Sequence, residues 1–161
     1  MSATGLDVFD RTVQTTDIRR EEIDSRIGPD RAVAWHVLGA VLRTLRDRLP
    51  IGLAAAHLGA QLPLLVRGTC YDRWQPRAKP LKLRPAKAFI GEVNANLEGT
   101  RPANPEATTR SVFQVLNHCL DPDPVAKVRD ARSKPVRRLW PDGATEPDEQ
   151  TPERSLERTE P

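Results

Sequence analysis

The stretch RAVAWHVLGAVLRTLRDRLPIGLAAAHLGAQLPLLVRGTCYDRW, residues 31–74, holds most of the dense apolar sequence and decides the fold class. Within it Ala34, Val37, Leu38, Val41, Leu42, Leu45 and Leu49 recur at spacings of three and four, the pattern of a helix with one apolar face. Pro29 and Asp30 suit its start. Proline loses no needed amide at the first helical position, and an aspartate accepts from the free N–H groups of the first turn. Arg43, Arg46 and Arg48 match the negative end of the helix dipole, and Pro50 stops the helix. A further helix is predicted at about 51–61, with Ile51, Leu53 or Ala54, Leu58 and Leu62 facing inward. Its small residues (Ala54, Ala55, Ala56, Gly59, Ala60) permit close approach of a neighbour. Pro63 restarts the chain as a short helix bearing Leu64, Leu65 and Val66, and Gly68 loosens it before Cys70, Tyr71 and Trp74.

On the N-terminal side, Leu6, Val8, Phe9 and Val13 form a short apolar docking segment, and residues 1–8 are expected to be flexible. Thr15-Thr16 offers an N-cap for a first helix carrying Ile23 and Ile27, with Asp17, Glu21 and Glu22 near its positive end and Gly28 as its stop. Arg19 and Arg20 stand where apolar residues would complete its buried stripe. On the C-terminal side, QPRAKPLKLRP (75–85) reads as a proline-stiffened loop. The next helix, about 86–98, buries Ala86, Phe89, Ile90, Val93 and Leu97, and Gly99 ends it. Asn104 caps and Pro105 opens a helix with Val112, Val115, Leu116 and Cys119 on one face. Asp123-Pro124 starts a short helix with Val125 and Val128, and Ser133-Lys134-Pro135 starts another with Val136, Leu139 and Trp140. After Pro141 the apolar period vanishes, and the tail 141–161 is expected to be disordered, because it has too little apolar surface to offset its ordering entropy.

The fold class is therefore all-α: a compact multi-helix bundle in one helical domain, residues 9–140. The 161 residues suffice for a self-contained core. The order of elements repeats. A helix end, a turn, an apolar stripe, a break, a short helix and a proline restart occur in about 16–74 and again in about 86–140, which predicts two pseudo-repeated helical units. The net charge of +3 is uneven: residues 141–161 carry seven acids and two arginines, and the first 140 carry 23 Lys+Arg against 15 Asp+Glu. No apolar run approaches the ~20 residues that span a bilayer, and no charged-then-apolar leader opens the chain, so no membrane partner and a cytoplasmic location with reduced thiols are expected.

The elements FDRTVQTT (Phe9–Thr16), VLRTLRDRLP (Val41–Pro50), HLGAQLPLLVRG (His57–Gly68), Trp74, KPLK (Lys79–Lys82) and RRLWP (Arg137–Pro141), in this order, resemble an uncharacterised bacterial family, domain of unknown function 2267. The resemblance spans about residues 9–141. It implies a cytosolic helical domain of duplicated units and brings no activity, cofactor or catalytic residue. This chain departs from the pattern at Arg19-Arg20, at Ser133–Pro135 in place of a second Gln-Leu-Pro, and at the Asp121-Pro122 and Asp123-Pro124 pairs.

Chemistry-bearing residues are sparse. His36, His57 and His118 have no second ligand at metal spacing, so no metal is expected. Cys70 and Cys119 are read as small core residues ahead of a redox pair. No nucleophile set and no phosphate loop is present, so no catalytic residue and no cofactor is expected, and an enzyme ranks third. The candidate anion-binding set is Arg77, Lys79, Lys82, Arg84 and Lys87, with Trp74 beside it to stack on a base. A solvated connector whose aromatics close the core is the favoured reading of the same residues. Two functions stay open. The first is a non-catalytic module that binds another protein or itself through helix surfaces. The second is an anion or nucleic-acid binder with the acidic tail as competitor.

Overall fold

The central helix forms as Arg31–Arg46, and Asp30 caps it: its carboxylate accepts from the amides of Ala32 at 3.0 Å and Val33 at 3.3 Å. Those first-turn N–H groups have no acceptor within the helix, so a side-chain oxygen here stabilises its start. The computed structural model describes residues 6–27, 30–76, 85–97, 99 and 104–141. In chain order the helices are α1 Asp7–Ile27, α2 Arg31–Arg46, α3 Leu64–Tyr71, α4 Ala86–Ala95, α5 Pro105–Cys119, α6 Pro122–Asp130 and α7 Lys134–Arg137. Among the described residues there is no strand, so the fold is all-α.

α2 is the axis of the bundle. Ala34, Ala40, Val41, Leu42 and Leu45 are wholly buried there, because α1, α3, α4 and α5 all pack against it. Each large aliphatic so placed contributes about 1.5–3 kcal/mol of transfer free energy. α1 also packs on α5, and α4 also packs on α5. α1 touches α3, as α4 touches α7. Gly39 marks the closest approach of α2 and α3: a Cβ there would lie 2.9 Å from the Thr69 methyl.

Two elements differ from the sequence expectation. The first helix begins at Asp7, not at the Thr15-Thr16 pair. Asp7 and Asp10 put negative charge in its first turn, where the dipole favours it. Thr12 returns its hydroxyl to the Val8 carbonyl at 2.8 Å, which lets a threonine sit inside a helix. Leu6, Val8, Phe9 and Val13 accordingly lie on or beside the first turns of α1, all exposed. The side chains of Arg19 and Arg20 lie outside the described residues.

The second difference is the segment after Pro50. It is a π-helical turn, Leu53–Leu58, followed by a 3-10 turn, Gly59–Gln61, where an α-helix was predicted. Its buried apolar positions, Ala54, Leu58 and Leu62, fall every four residues. Ile51 is out of that register and is exposed, contrary to the expectation that it faces inward. The segment packs on α6.

The second half closes around aromatics. Asn104 caps α5 as expected, accepting from the Ala107 amide at 3.0 Å. Val112, Val115 and Leu116 are buried, Cys119 is half-buried, and Phe113 joins the core as well. Phe113 sits between Phe89 (centroids 6.0 Å) and Trp140 (stacked at 4.0 Å). The Trp140 indole N–H donates to Asn117 Oδ1 at 2.6 Å, and Asn117 Nδ2 donates to the Pro141 carbonyl at 2.9 Å. A buried indole needs such a partner, and the pair fastens the end of the domain. Most of the tail, 142–161, lies outside the described residues.

Candidate functional site

Of the candidate anion-binding set, Arg77, Lys79, Lys82 and Arg84 lie outside the described residues. Lys87 is exposed in the first turn of α4. Trp74 is half-buried, with its ring stacked on Tyr71 at 5.2 Å and 13°. One face of the indole is therefore engaged within the domain.

The structure brings together a different basic group. An open groove of about 700 Å³ runs between α2 and α3 and ends at the C-terminus of α4. α2 contributes Trp35, His36, Arg43 and Arg46, α3 contributes Leu65 and Thr69, and Asp72, Arg73 and Asn96 close its ends. Among the described residues the lining thus holds the guanidinium groups of Arg43, Arg46 and Arg73 and the Asp72 carboxylate, with Trp35 and Leu65 as apolar surface. His36, Gly39, Arg43 and Arg46 fall at i, i+3, i+7 and i+10, so one polar face of α2 runs beside its apolar stripe. That spacing was the available sequence signal. Nothing in the sequence placed Arg73 opposite it.

These arginines are held in place. Arg46 is 5% exposed; its Nε pairs with Asp47 at 2.9 Å, and its Nη1 donates to the carbonyls of Cys70 and of Asp72, the latter at 2.8 Å. Arg43 Nη2 donates to the Asn96 carbonyl at 3.2 Å, and Asn96 Nδ2 donates to Thr44 Oγ1 at 3.0 Å. Both cations therefore satisfy the C-terminal carbonyls of neighbouring helices, α3 and α4, where the sequence reading had them serve the end of α2. Arg73 has φ 52°, a left-handed conformation uncommon outside glycine, and it follows directly on Asp72 at the groove's end.

A second pair of arginines comprises a buried Arg48 and a half-buried Arg132. Arg48 is 4% exposed; its Nη1 donates to the Thr44 carbonyl at 2.9 Å, and its guanidinium lies 5.2 Å from the Phe89 ring centre. Arg132 Nη1 donates to the Arg48 carbonyl at 2.6 Å, which ties the end of α6 to the turn after α2. Arg48 Nε, Arg48 Nη2 and Arg132 Nε have no acceptor among the described residues. Burial, and then the neighbouring Arg48 cation, push the Arg132 guanidinium down to about 10, and burial lowers Arg48 as well. Unpaired N–H groups in the interior are costly, and the Phe89 ring offsets part of that cost for Arg48.

The site holds little reactive chemistry. Thr69 donates its hydroxyl back to the Leu65 carbonyl at 3.1 Å. Among the described residues no three His, Cys, Asp or Glu side chains gather as a metal site would require. Cys70 and Cys119 are not joined in a disulfide. Burial pushes the Cys70 thiol up to about 12, so it stays protonated and inert at neutral pH. A smaller recess of about 400 Å³, lined by Lys134, Arg137, Arg138 and Trp140, lies where the chain leaves α7. No described helix is long and apolar enough to cross a membrane. The arrangement is suited to holding an anionic group by charge and hydrogen bonds. The family model described as uncharacterized conserved protein (DUF2267) matches residues 20–139. A search of curated proteins finds no match to the chain.

Proposed function

The chain belongs to the uncharacterized conserved protein family DUF2267, and from that premise we propose that it is a non-catalytic binding module whose α2–α3 groove takes an acidic segment of a partner protein. The observation that carries this reading is the groove itself: among the described residues Arg43, Arg46 and Arg73 line it with Asp72, Arg46 being paired with Asp47, and Trp35 and Leu65 offer apolar contact. Arginines fixed by neighbouring carbonyls lose little freedom on binding, which favours recognition over catalysis. A domain spanning residues 9–140, working in the cytoplasm, is part of the same proposal. So is its construction from two helical units, which draws support from the way α1 and α4 each pack on both α2 and α5.

Fluorescence anisotropy with a labelled ten-residue glutamate peptide tests the reading. Binding that weakens with salt and at least tenfold with Arg73→Glu is the expected result. Absence of binding at low salt removes it. A nucleic-acid reading stands second, because basic residues continue from Arg73 through Arg77, Lys79, Lys82, Arg84 and Lys87, with Trp74 among them to stack on a base. A gel shift of single-stranded DNA at low salt, stronger than the peptide interaction, would put it first.

A further inference from the structure

The C-terminal segment 142–161 carries Asp142, Glu146, Asp148, Glu149, Glu153, Glu157 and Glu160 against Arg154 and Arg158, a net −5 in 20 residues. It lies beyond the family match, which ends at residue 139. Its root is fixed: Asn117 Nδ2 holds the Pro141 carbonyl at 2.9 Å, beside the recess of Lys134, Arg137 and Arg138.

We propose that this acidic segment is an intramolecular occupant of the α2–α3 groove, so that the protein regulates its own binding site. The inference rests on the groove reading given above and names the regulator of that same site. Three features on the molecule support it. Charge is complementary: among the described residues Arg43, Arg46 and Arg73 line the groove with Asp72, Arg46 being paired with Asp47, so a net positive charge remains for a segment of net −5. Reach is ample, since 20 residues extend to about 70 Å, whereas a domain of this size has a radius of gyration of about 14 Å. Composition fits as well. Leu156, the one large apolar residue of the segment, can meet the apolar surface of Trp35 and Leu65, with Glu153, Glu157 and Glu160 and also Arg154 and Arg158 within four residues of it.

A tether makes weak contacts count. A segment attached by a short linker acts at an effective concentration of order millimolar, so an intrinsic affinity of about 0.1–1 mM already occupies the groove for much of the time. An external acidic partner then binds by displacing the segment, with its apparent affinity reduced by the closed fraction. The contacts are charged and near the surface, so ionic strength weakens them over a Debye length of about 8 Å at physiological salt.

The test uses the full chain. In one variant all seven acids of the segment become amides (Asp142→Asn, Glu146→Gln, Asp148→Asn, Glu149→Gln, Glu153→Gln, Glu157→Gln, Glu160→Gln), which keeps length and tether unchanged. The labelled glutamate peptide is titrated into the wild type, the amide variant, and each of these with Arg73→Gln. The amide variant is expected to bind the peptide about 3- to 10-fold more tightly than the wild type. The gain shrinks at high salt, and Arg73→Gln weakens binding in both backgrounds. In the absence of peptide, the Trp35 indole N–H resonance of the wild type is expected to move when the segment is neutralised. Equal peptide affinity for wild type and amide variant, with an unmoved Trp35 resonance, overturns the occupant and leaves the groove reading standing. Failure of the peptide to bind even the amide variant overturns the groove reading and this inference together.

Discussion

Gly59→Ala probes the tightest contact in the first half of the fold. A Cβ at this position would lie 1.7 Å from Tyr71 Oη, 2.4 Å from Cζ and 3.0 Å from Cε1. Tyr71 cannot swing aside freely, because its ring is stacked on Trp74 with centroids 5.2 Å apart. Forcing extra volume into a packed site costs about 1–3 kcal/mol, and giving up an aromatic pair adds about 0.5–1.5 kcal/mol. Gly59→Ala is therefore expected to destabilise by about 2–4 kcal/mol. The same substitution in a Tyr71→Leu background meets no hydroxyl and no distal ring carbons. Gly59 is not among the positive-φ residues, so alanine fits its backbone there and should be neutral or stabilising by up to about 1 kcal/mol. Urea denaturation of the four proteins, followed by far-UV circular dichroism, measures the cycle at constant m value. Equal destabilisation in both backgrounds would show that the approach of Gly59 to Tyr71 is not what excludes a side chain here.

Other consequences are simpler to read. Leu42→Ala, at a wholly buried position on α2, should cost about 2–5 kcal/mol in chemical denaturation, whereas Arg154→Ala should leave the midpoint unchanged. Asn104→Ala removes the acceptor for the Ala107 amide and should cost about 1 kcal/mol by the same measurement. Cys70 should resist a thiol reagent in the native protein until unfolding, while the half-buried Cys119 reacts first; mass spectrometry of labelled peptides gives the order. The Cys70 thiol is raised from 9.0 to about 12, so the unfolded chain loses that proton first as pH rises. Its contribution is full below pH 9 and is lost between pH 9 and about 12, by up to about 1.4 kcal/mol per unit. Denaturation of Cys70→Ala beside wild type across that range isolates this slope, and parallel curves would refute it.

The helices were legible wherever a cap or a proline met a periodic apolar run. Asp30 before α2 and Asn104-Pro105 before α5 signal helix starts through local hydrogen bonding and fixed φ, which need no tertiary partner. The two misreadings have other causes. Thr15-Thr16 carries a genuine capping signal, but a helix already begun at Asp7 continues through it. The π turn at Leu53–Leu58 brings Ala54 and Leu58 to the core while the segment packs on α6, and because a spacing of four suits an α-helix equally well, the sequence held no signal for it.

The groove was less legible than the helices. The basic loop drew attention because Arg77, Lys79, Lys82 and Arg84 are neighbours in sequence. The residues that line the groove are scattered from Trp35 to Asn96. Arg43 and Arg46 were read as partners of their own helix dipole, and a sequence cannot show that a long side chain reaches another helix's end instead.

Periodicity, caps and proline breaks, all short-range effects, were enough to establish an all-helical chain, the primacy of α2 and the loss of apolar period after Trp140. Which helix ends meet, which arginines they hold, and where a groove opens between them depend on packing over distances of 24 to 84 residues in sequence, as the bonds from Arg46 to Cys70 and from Arg132 to Arg48 show. Such contacts are selected by the shape of the assembled core, so only the folded chain reveals them.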